Sequence, residues 1–502
     1  MSPNTSPCKD REKCIGGYAR LVHMIKYIQQ KYKDDHPLYL NAGDNFQGTP
    51  WYTMFTWNVT KHFLNMLPAD VLTVGNHEFD HGIDGLLPFL SSVKSKLVLS
   101  NIDEQSLTFL QQYSKDRIHG RTIINKGGIR IGVIGVIIKT VNEISNTGNI
   151  TFFDEIQMVK HQANLLAQEN VDIIIVLSHC GIVVDKEIAK HGGPLIDVIV
   201  GGHSHTYLYN GVDITNPYEK PADTYPLVIT QDDGHIVLIV QAGAYGKYVG
   251  VLRVKFDDEG NVDSWTGNNI FLSHDVDEDE DIVKELEPWK QEVERRGRHY
   301  FGEAKVLIDN SNCKLGECTA GDLLTDAMVE SDESILLALH HAGGIRTSFQ
   351  PGPITFNDLL TMVPFGNTLD VVKISGKTLR DVFEHAVDLD SHKYNKVFRN
   401  LLQVSGFKIV YNLNNPINQR AEKILVLEKN GNDIIYNDLD NNKLYEVMIP
   451  SFIFKGGDGF TMFKTDKLEH SIGKVDIDVF SKYFKSHKVL NPKLQGRITM
   501  KY

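Results

Sequence analysis

Polar residues of metal-binding type recur in the first half of the chain, each where a short apolar run stops. Asp44 follows Leu40-Asn41-Ala42-Gly43, and Asn76 and His77 follow Val71-Leu72-Thr73-Val74-Gly75. His179 ends the run from Ile173 to Ser178, and His203 and His205 follow Val198-Ile199-Val200-Gly201-Gly202. Carboxylate, amide carbonyl and imidazole together suit zinc, manganese or cobalt, and an aspartate bridges two ions with its two oxygens. Two divalent ions about 3.5–4 Å apart would clamp a phosphoryl group, lower the pKa of a bound water and neutralise the leaving oxygen. Taken singly, each ending reads as a turn former or a satisfied polar residue. Four in chain order, three of them flanked by glycines that admit close backbone approach, read instead as one site. His77 and Asp80, three residues apart on a turn, face the same way. A carboxylate beside an imidazole favours the cation, which stabilises charge developing on a phosphoryl oxygen. The competing reading of Asp80 is a helix cap. Cys180, next to His179, is assigned a structural role because successive strand residues point to opposite faces.

The elements that must carry these residues are legible from hydrophobic patterning. Pro37 to Ala42, Asp70 to Gly75, Ile129 to Ile137, Val171 to Ser178, Ile196 to Gly201 and Ile236 to Gly243 are rich in Val, Ile and Leu at successive positions. Such runs suit strands covered on both faces, and helical or loop segments lie between them, so the first ~270 residues read as a layered α/β sandwich. In such a fold the strand C-termini form the crevice where ligands bind. Around Asp275 to Arg298 the composition turns strongly charged, with Ile282, Leu286 and Trp289 at helical spacing. This is the predicted linker helix, its bland alternative being a solvated surface helix. Beyond Gly302, helical stretches at Gly321 to Val329 and Lys377 to Val387 and strands at Asp370 to Ile374 and Tyr445 to Ile449 give an α+β pattern. The expected organisation is residues 1–277 as the metal-binding domain, 278–300 as linker and 301–502 as a second, unlike domain.

Composition bounds the partners. The 502 residues carry 52 Lys and Arg against 64 Asp and Glu, a net charge of −12 with no basic block, so a nucleic-acid polymer would be repelled. An anionic substrate therefore needs metal ions to hold it. No apolar run approaches the ~18 residues of a membrane span. The five cysteines form two close pairs, Cys8/Cys14 and Cys313/Cys318, plus Cys180; two disulfides and one free thiol are expected. Sequons at Asn4, Asn58 and Asn149 agree with an oxidising export route, although the chain starts with neither a charged nor an apolar leader region.

Gly43-Asp44-Asn45-Phe46-Gln47-Gly48-Thr49, Gly75-Asn76-His77-Glu78-Phe79-Asp80, Ser178-His179 and Gly201-Gly202-His203-Ser204-His205 resemble the successive motifs of the 5′-nucleotidase/apyrase family of calcineurin-like metallophosphoesterases. Order and spacing match over nearly the whole chain. The resemblance implies a four-layer αββα sandwich followed by a separate α+β nucleotide-binding domain. It implies Asp44 as bridging ligand, Asn76, His179 and His203 at one ion, and His205 at the other. The two ions would be zinc first, with manganese, cobalt, calcium or magnesium as alternatives. His77 and Asp80 would be the catalytic dyad.

The likeness continues through Cys313-Lys314-Leu315-Gly316-Glu317-Cys318, His341-Ala342-Gly343-Gly344-Ile345-Arg346, Pro364-Phe365-Gly366-Asn367-Thr368 and Gly456-Gly457-Asp458-Gly459-Phe460. It implies that Phe365 and Phe452 sandwich a nucleobase, that Asp458 binds ribose hydroxyls and that Arg346 holds phosphate. Stacking of that kind gains about 1–3 kcal/mol per contact. For either Phe alone, core packing is the plainer reading. Lys314 replaces a family Arg, exchanging a planar fork for a point charge, and His341 replaces an Asn at the base. Both substitutions leave AMP versus ADP or ATP open. The family also moves its nucleotide-holding domain relative to its metal domain, as a helical linker would permit.

No Asp-X-His precedes Gly16-Gly17-Tyr18-Ala19-Arg20, where the family has a first strand supplying two ligands. The expectation is that this strand is missing, that one ion keeps only Asp44 and His205, and that the parallel sheet has an open edge. An incomplete gene product is favoured over a genuinely shortened protein. The expected activity is hydrolysis of phosphate from extracellular nucleotides, AMP to adenosine or ATP and ADP to AMP. The alternative is a protein that sequesters nucleotides without turnover. A phosphodiesterase or sugar-nucleotide hydrolase is weakened by the two phenylalanines. A secreted product without a lipid anchor, and a homodimer, complete the expectations.

Overall fold

The computed structural model describes residues 14–47, 49–211, 219–388, 398, 400–430, 433–465 and 469–502. The chain divides into two compact units, one up to Lys290 and one from Gln291 onward.

Among the described residues the first unit holds two principal sheets. One orders Leu40–Asn41, Val71–Thr73, Lys96–Val98 and Ile118–His119, all parallel. The other orders Arg121–Lys126, Ile129–Ile137, Ile173–His179, Val198–Gly201, Ile236–Val240 and Leu227–Thr230, with its four central strands parallel and its outer pairs antiparallel. Strand Ile173–His179 shows why its sequence reads as an unbroken apolar run. Ile173, Ile175 and Leu177 face the core between the sheets with Val71, Val98 and Val133. Ile174 and Val176 pack outward with Val159, Ala163 and Ile188 of helices Glu155–Gln168 and Ile182–His191. On the far side of the first sheet, Leu86, Phe89 and Leu110 from helices Gly82–Ser92 and Glu104–Ser114 cover Leu72 and Leu97. Helix, sheet, sheet and helix make the αββα sandwich. The short strand Leu40–Asn41 has one strand partner among the described residues.

Helix Glu280–Gly297 is not the solvated surface helix of the bland reading. Ile282 is buried, and it packs with Leu286 and Trp289 against Ala19, Val22, Val59 and Phe63. The Trp289 ring meets Phe55 edge-on at 4.9 Å.

The second unit is α+β. A five-stranded sheet orders Leu402–Ser405, Ala338–His341, Leu444–Pro450, Leu369–Ser375 and Glu469–Ser471. A four-stranded sheet runs Asp433–Asp438, Ala421–Asn430, Phe407–Asn412 and Ile498–Lys501. Helix Gly376–His385 starts where Ser375 accepts the Thr378 N–H, and it buries Leu379, Val382 and Phe383 in the core shared with Val372, Phe407 and Val447.

Cys313 and Cys318 are bonded and Cys180 is free and buried. Cys14 is disulfide-bonded; its expected partner Cys8, and the sequon at Asn4, lie outside the described residues. Asn58 and Asn149 are exposed. Among the described residues no helix is long and apolar enough to cross a membrane.

Candidate functional site

The parallel strands of the first unit run the same way, so their C-terminal ends deliver side chains to one rim. Asp44, His179 and His203 meet there, each offering a ligand atom within 4.8 Å of the others; this is the one such group among the described residues. His179 closes its strand and donates from Nδ1 to the Ala42 carbonyl at 2.6 Å. That bond turns Nε2 toward the cluster, the nitrogen that can ligate a cation once it gives up its proton. Nε2 is buried and 3.0 Å from Oδ2 of Asp44, yet it is misaligned for a hydrogen bond. His203 donates from Nδ1 to Oδ1 of buried Asn76 at 2.8 Å. An orphaned imidazole nitrogen, a carboxylate, an amide oxygen and a second imidazole are a donor set that fits a divalent cation.

Charge supports the same reading. Burial opposes ionisation of Asp44, but His179 and His77 outweigh it and hold the carboxyl well below the usual range. Burial and the neighbouring His179 push His203 down to about 4, so its ring is neutral near pH 7, the form a cation requires. Asp44, His203 and His205 have φ of 57°, 69° and 55°, left-handed backbone that costs non-glycine residues energy and concentrates at functional sites. Gly75 is required by space: a Cβ there would lie 2.2 Å from Oδ1 of Asp44 and 2.7 Å from Cε1 of His179. His205 stands outside the trio. It is exposed, 5.5 Å from the Tyr245 ring, and burial together with neighbouring cations lowers its pKa.

His77 opens a short 3₁₀ turn, His77–Phe79. Its Nδ1 donates to Oδ2 of Asp80 at 2.7 Å, with side-chain exposures of 35% and 8%. Its backbone N–H donates to Oδ1 of Asp44 at 2.9 Å. His77 therefore adjoins the Asp44–His179–His203 group without being one of its three converging side chains. Asp80 does not cap the following helix Gly82–Ser92, whose N-cap is His81 without a side-chain bond.

The sequence reading missed Glu78. Fully buried, its carboxylate accepts from Gly75 at 2.5 Å, Asp44 at 2.9 Å, Asn45 at 2.6 Å and Phe46 at 3.2 Å, all backbone N–H groups. It ties the loop carrying Asp44 to the turn carrying Asn76 and His77. Its only signal in sequence is a glutamate between a candidate catalytic histidine and an apolar residue.

In the second unit, Phe365 and Phe452 are 57% and 40% exposed, so the core-packing reading fails for both. His341 is buried and stacked on Phe452 at 5.0 Å, and burial pushes its pKa down to about 3. It backs an aromatic face rather than offering an open side chain. Exposed Arg346 lies over the Phe365 ring at 5.8 Å and donates to the Gly343 carbonyl. Asp458 sits in left-handed backbone, φ 52°; burial raises its carboxyl, and His385 and Lys314 act in the opposite direction.

Residues 14–207 match the family described as calcineurin-like phosphoesterase, and residues 301–465 match the 5′-nucleotidase C-terminal domain. An apyrase of Tabanus yao is 39% identical over 98% of this chain and 89% of its own length. The 5′-nucleotidase of Bos taurus is 36% identical over 99% and 87%. Among solved structures, a 5′-nucleotidase precursor from Thermus thermophilus shares 33% identity with a TM-score of 0.63, covering 97% of this chain and 94% of its own. A Haemophilus influenzae NAD nucleotidase shares 26% with a TM-score of 0.72, covering 97% and 93%.

Proposed function

The chain belongs to the 5′-nucleotidase family, built on a calcineurin-like phosphoesterase domain, and on that premise we propose that it releases phosphate from nucleotides with divalent ions held by Asp44, Asn76, His179 and His203. The observation that carries this reading is the buried, orphaned Nε2 of His179 converging with Asp44 and His203. When bound, the ions supply neutralising charge for the phosphoryl group and acidify water. The donor set is that of zinc or a similar borderline cation, and His205 with Asp44 would hold a second ion. His77, held by Asp80, places its Nε2 where it donates to a phosphoryl or leaving oxygen, stabilising charge as the ester or anhydride bond breaks. In the second unit, Phe365 and Phe452 take the base, Asp458 the ribose hydroxyls, and Arg346 and Lys314 the anionic end. Adenosine mono-, di- and triphosphate are the substrates this set accommodates. The disulfide Cys313–Cys318 and the exposed sequons at Asn58 and Asn149 support a role outside the cytosol.

Phosphate release from AMP, ADP and ATP, before and after dialysis against a chelator and with zinc or manganese restored, tests the proposal. Release that disappears on dialysis and returns with metal is expected. Nucleotide that binds without any release in metal-replete protein would sink the hydrolase reading. Replacing Phe365 or Phe452 by Ala is expected to raise KM about 5- to 150-fold with little change in kcat, the loss of one stacking contact. A KM that stays at the wild-type value in steady-state assays would remove that ring from the base site.

A further inference from the structure

The loop that presents Asp458 is held open by conformations that few residues adopt. Gly456, Asp458 and Gly459 all have positive φ, at 87°, 52° and 85°. Glycine takes such values freely, whereas an aspartate there is uncommon and needs outside support. That support comes from the last residue of helix Gly376–His385. Nε2 of His385 donates to the backbone carbonyl of Asp458 at 2.8 Å. Nδ1 faces Oδ2 of Asp388 at 2.8 Å. The amide nitrogen of Asn400 also faces Nε2, at 3.3 Å the more distant of that nitrogen's two neighbours. Phe460 meets the imidazole edge-on at 4.7 Å. A Cβ on Gly459 would fall 2.9 Å from both Cε1 and Nε2 of His385, so the loop backbone lies directly on the ring. His385 is thus wedged beneath the Gly456–Gly459 turn and bonded to the backbone carbonyl of Asp458 itself.

We infer that His385 is a positioning residue for nucleoside recognition: by holding the Asp458 carbonyl it sets where the Asp458 carboxylate meets the ribose hydroxyls. The inference rests on the proposed function, which gives Asp458 that task. His385 touches no reacting atom, and its effect passes through the loop.

The readout is discrimination, measured as the ratio of kcat/KM for the adenosine nucleotide hydrolysed fastest to that for its 2′,3′-dideoxy counterpart. In wild-type protein the ratio favours the ribose form. In His385→Leu it is expected to fall about 10- to 100-fold, the worth of hydrogen bonds to a charged carboxylate. In His385→Gln, whose amide N–H reaches toward the same carbonyl, a substantial part should return. Equal losses on both nucleotides, or an unchanged ratio in His385→Leu, would overturn the inference, because a general packing defect cannot alter the ratio selectively. Asp458→Ala separates the two claims. If it leaves the ratio at the wild-type value, the ribose assignment itself fails. If it collapses the ratio while His385→Leu does not, the assignment stands and the positioning role is wrong.

Discussion

His77→Ala is expected to lower turnover by about 10²- to 10⁴-fold, the usual weight of a positioned proton donor or acceptor, without loss of bound metal. The separation follows from how the residue is attached. Its backbone N–H donates to Oδ1 of Asp44 at 2.9 Å, and alanine keeps that group. Its ring bonds through Nδ1 to Asp80, which is nearly buried, while the ring itself is about one-third exposed. On the proposed reading, removing the ring removes a donor to the phosphoryl group and leaves Asp44, Asn76, His179 and His203 in place. Metal content by atomic emission after dialysis, beside steady-state phosphate release, checks both halves. A variant that loses metal in proportion to activity would make His77 a ligand and undo the assignment.

Glu78→Gln is expected to cost about 10- to 100-fold in metal affinity, the range for partners that orient metal ligands, with activity falling in parallel at limiting metal. The wild-type carboxylate receives two N–H groups on each oxygen: Asp44 and Gly75 on one, Asn45 and Phe46 on the other. An amide has one accepting oxygen, so in either orientation two buried N–H groups would face an NH₂. Each unsatisfied buried donor costs about 1–3 kcal/mol, and here the strain falls on Asp44 and Gly75 or on Asn45 and Phe46. Burial and the adjacent Asp44 charge push the Glu78 carboxyl upward, and the surrounding N–H groups pull it back. Four donors and no acceptor match only the ionised form. Titration of metal into apo-protein, followed by calorimetry, measures the effect. Wild-type affinity in a folded Glu78→Gln protein would mean that the rest of the sandwich suffices to shape these loops.

Much of the first unit was legible because its strands are buried on both faces. Successive Val, Ile and Leu in Ile173–His179 serve two cores at once, so hydrophobic runs located the strands, and the polar residues just beyond them located the rim. The His77–Asp80 contact was legible from a three-residue spacing that a turn brings together. The second unit yielded less, since nothing in a single Phe says whether it faces a core or water. There the exposure of Phe365 and Phe452 and the burial of His341 emerged only from packing.

By itself, then, the sequence determined the layered α/β framework, the order in which candidate ligands arrive, and the chemistry their side chains carry, because periodicity and residue type are local properties. Tertiary structure alone decided which of them meet. His203 and His205 stand two apart in one loop, both in left-handed backbone that follows no regular facing rule, and among the described residues only the first closes on Asp44 and His179. Glu78 and His385 became visible for the same reason: each acts on backbone groups that folding brings from elsewhere in the chain, Asp44–Phe46 for one and Asp458 for the other, and no spacing in the chain encodes where a distant peptide will point.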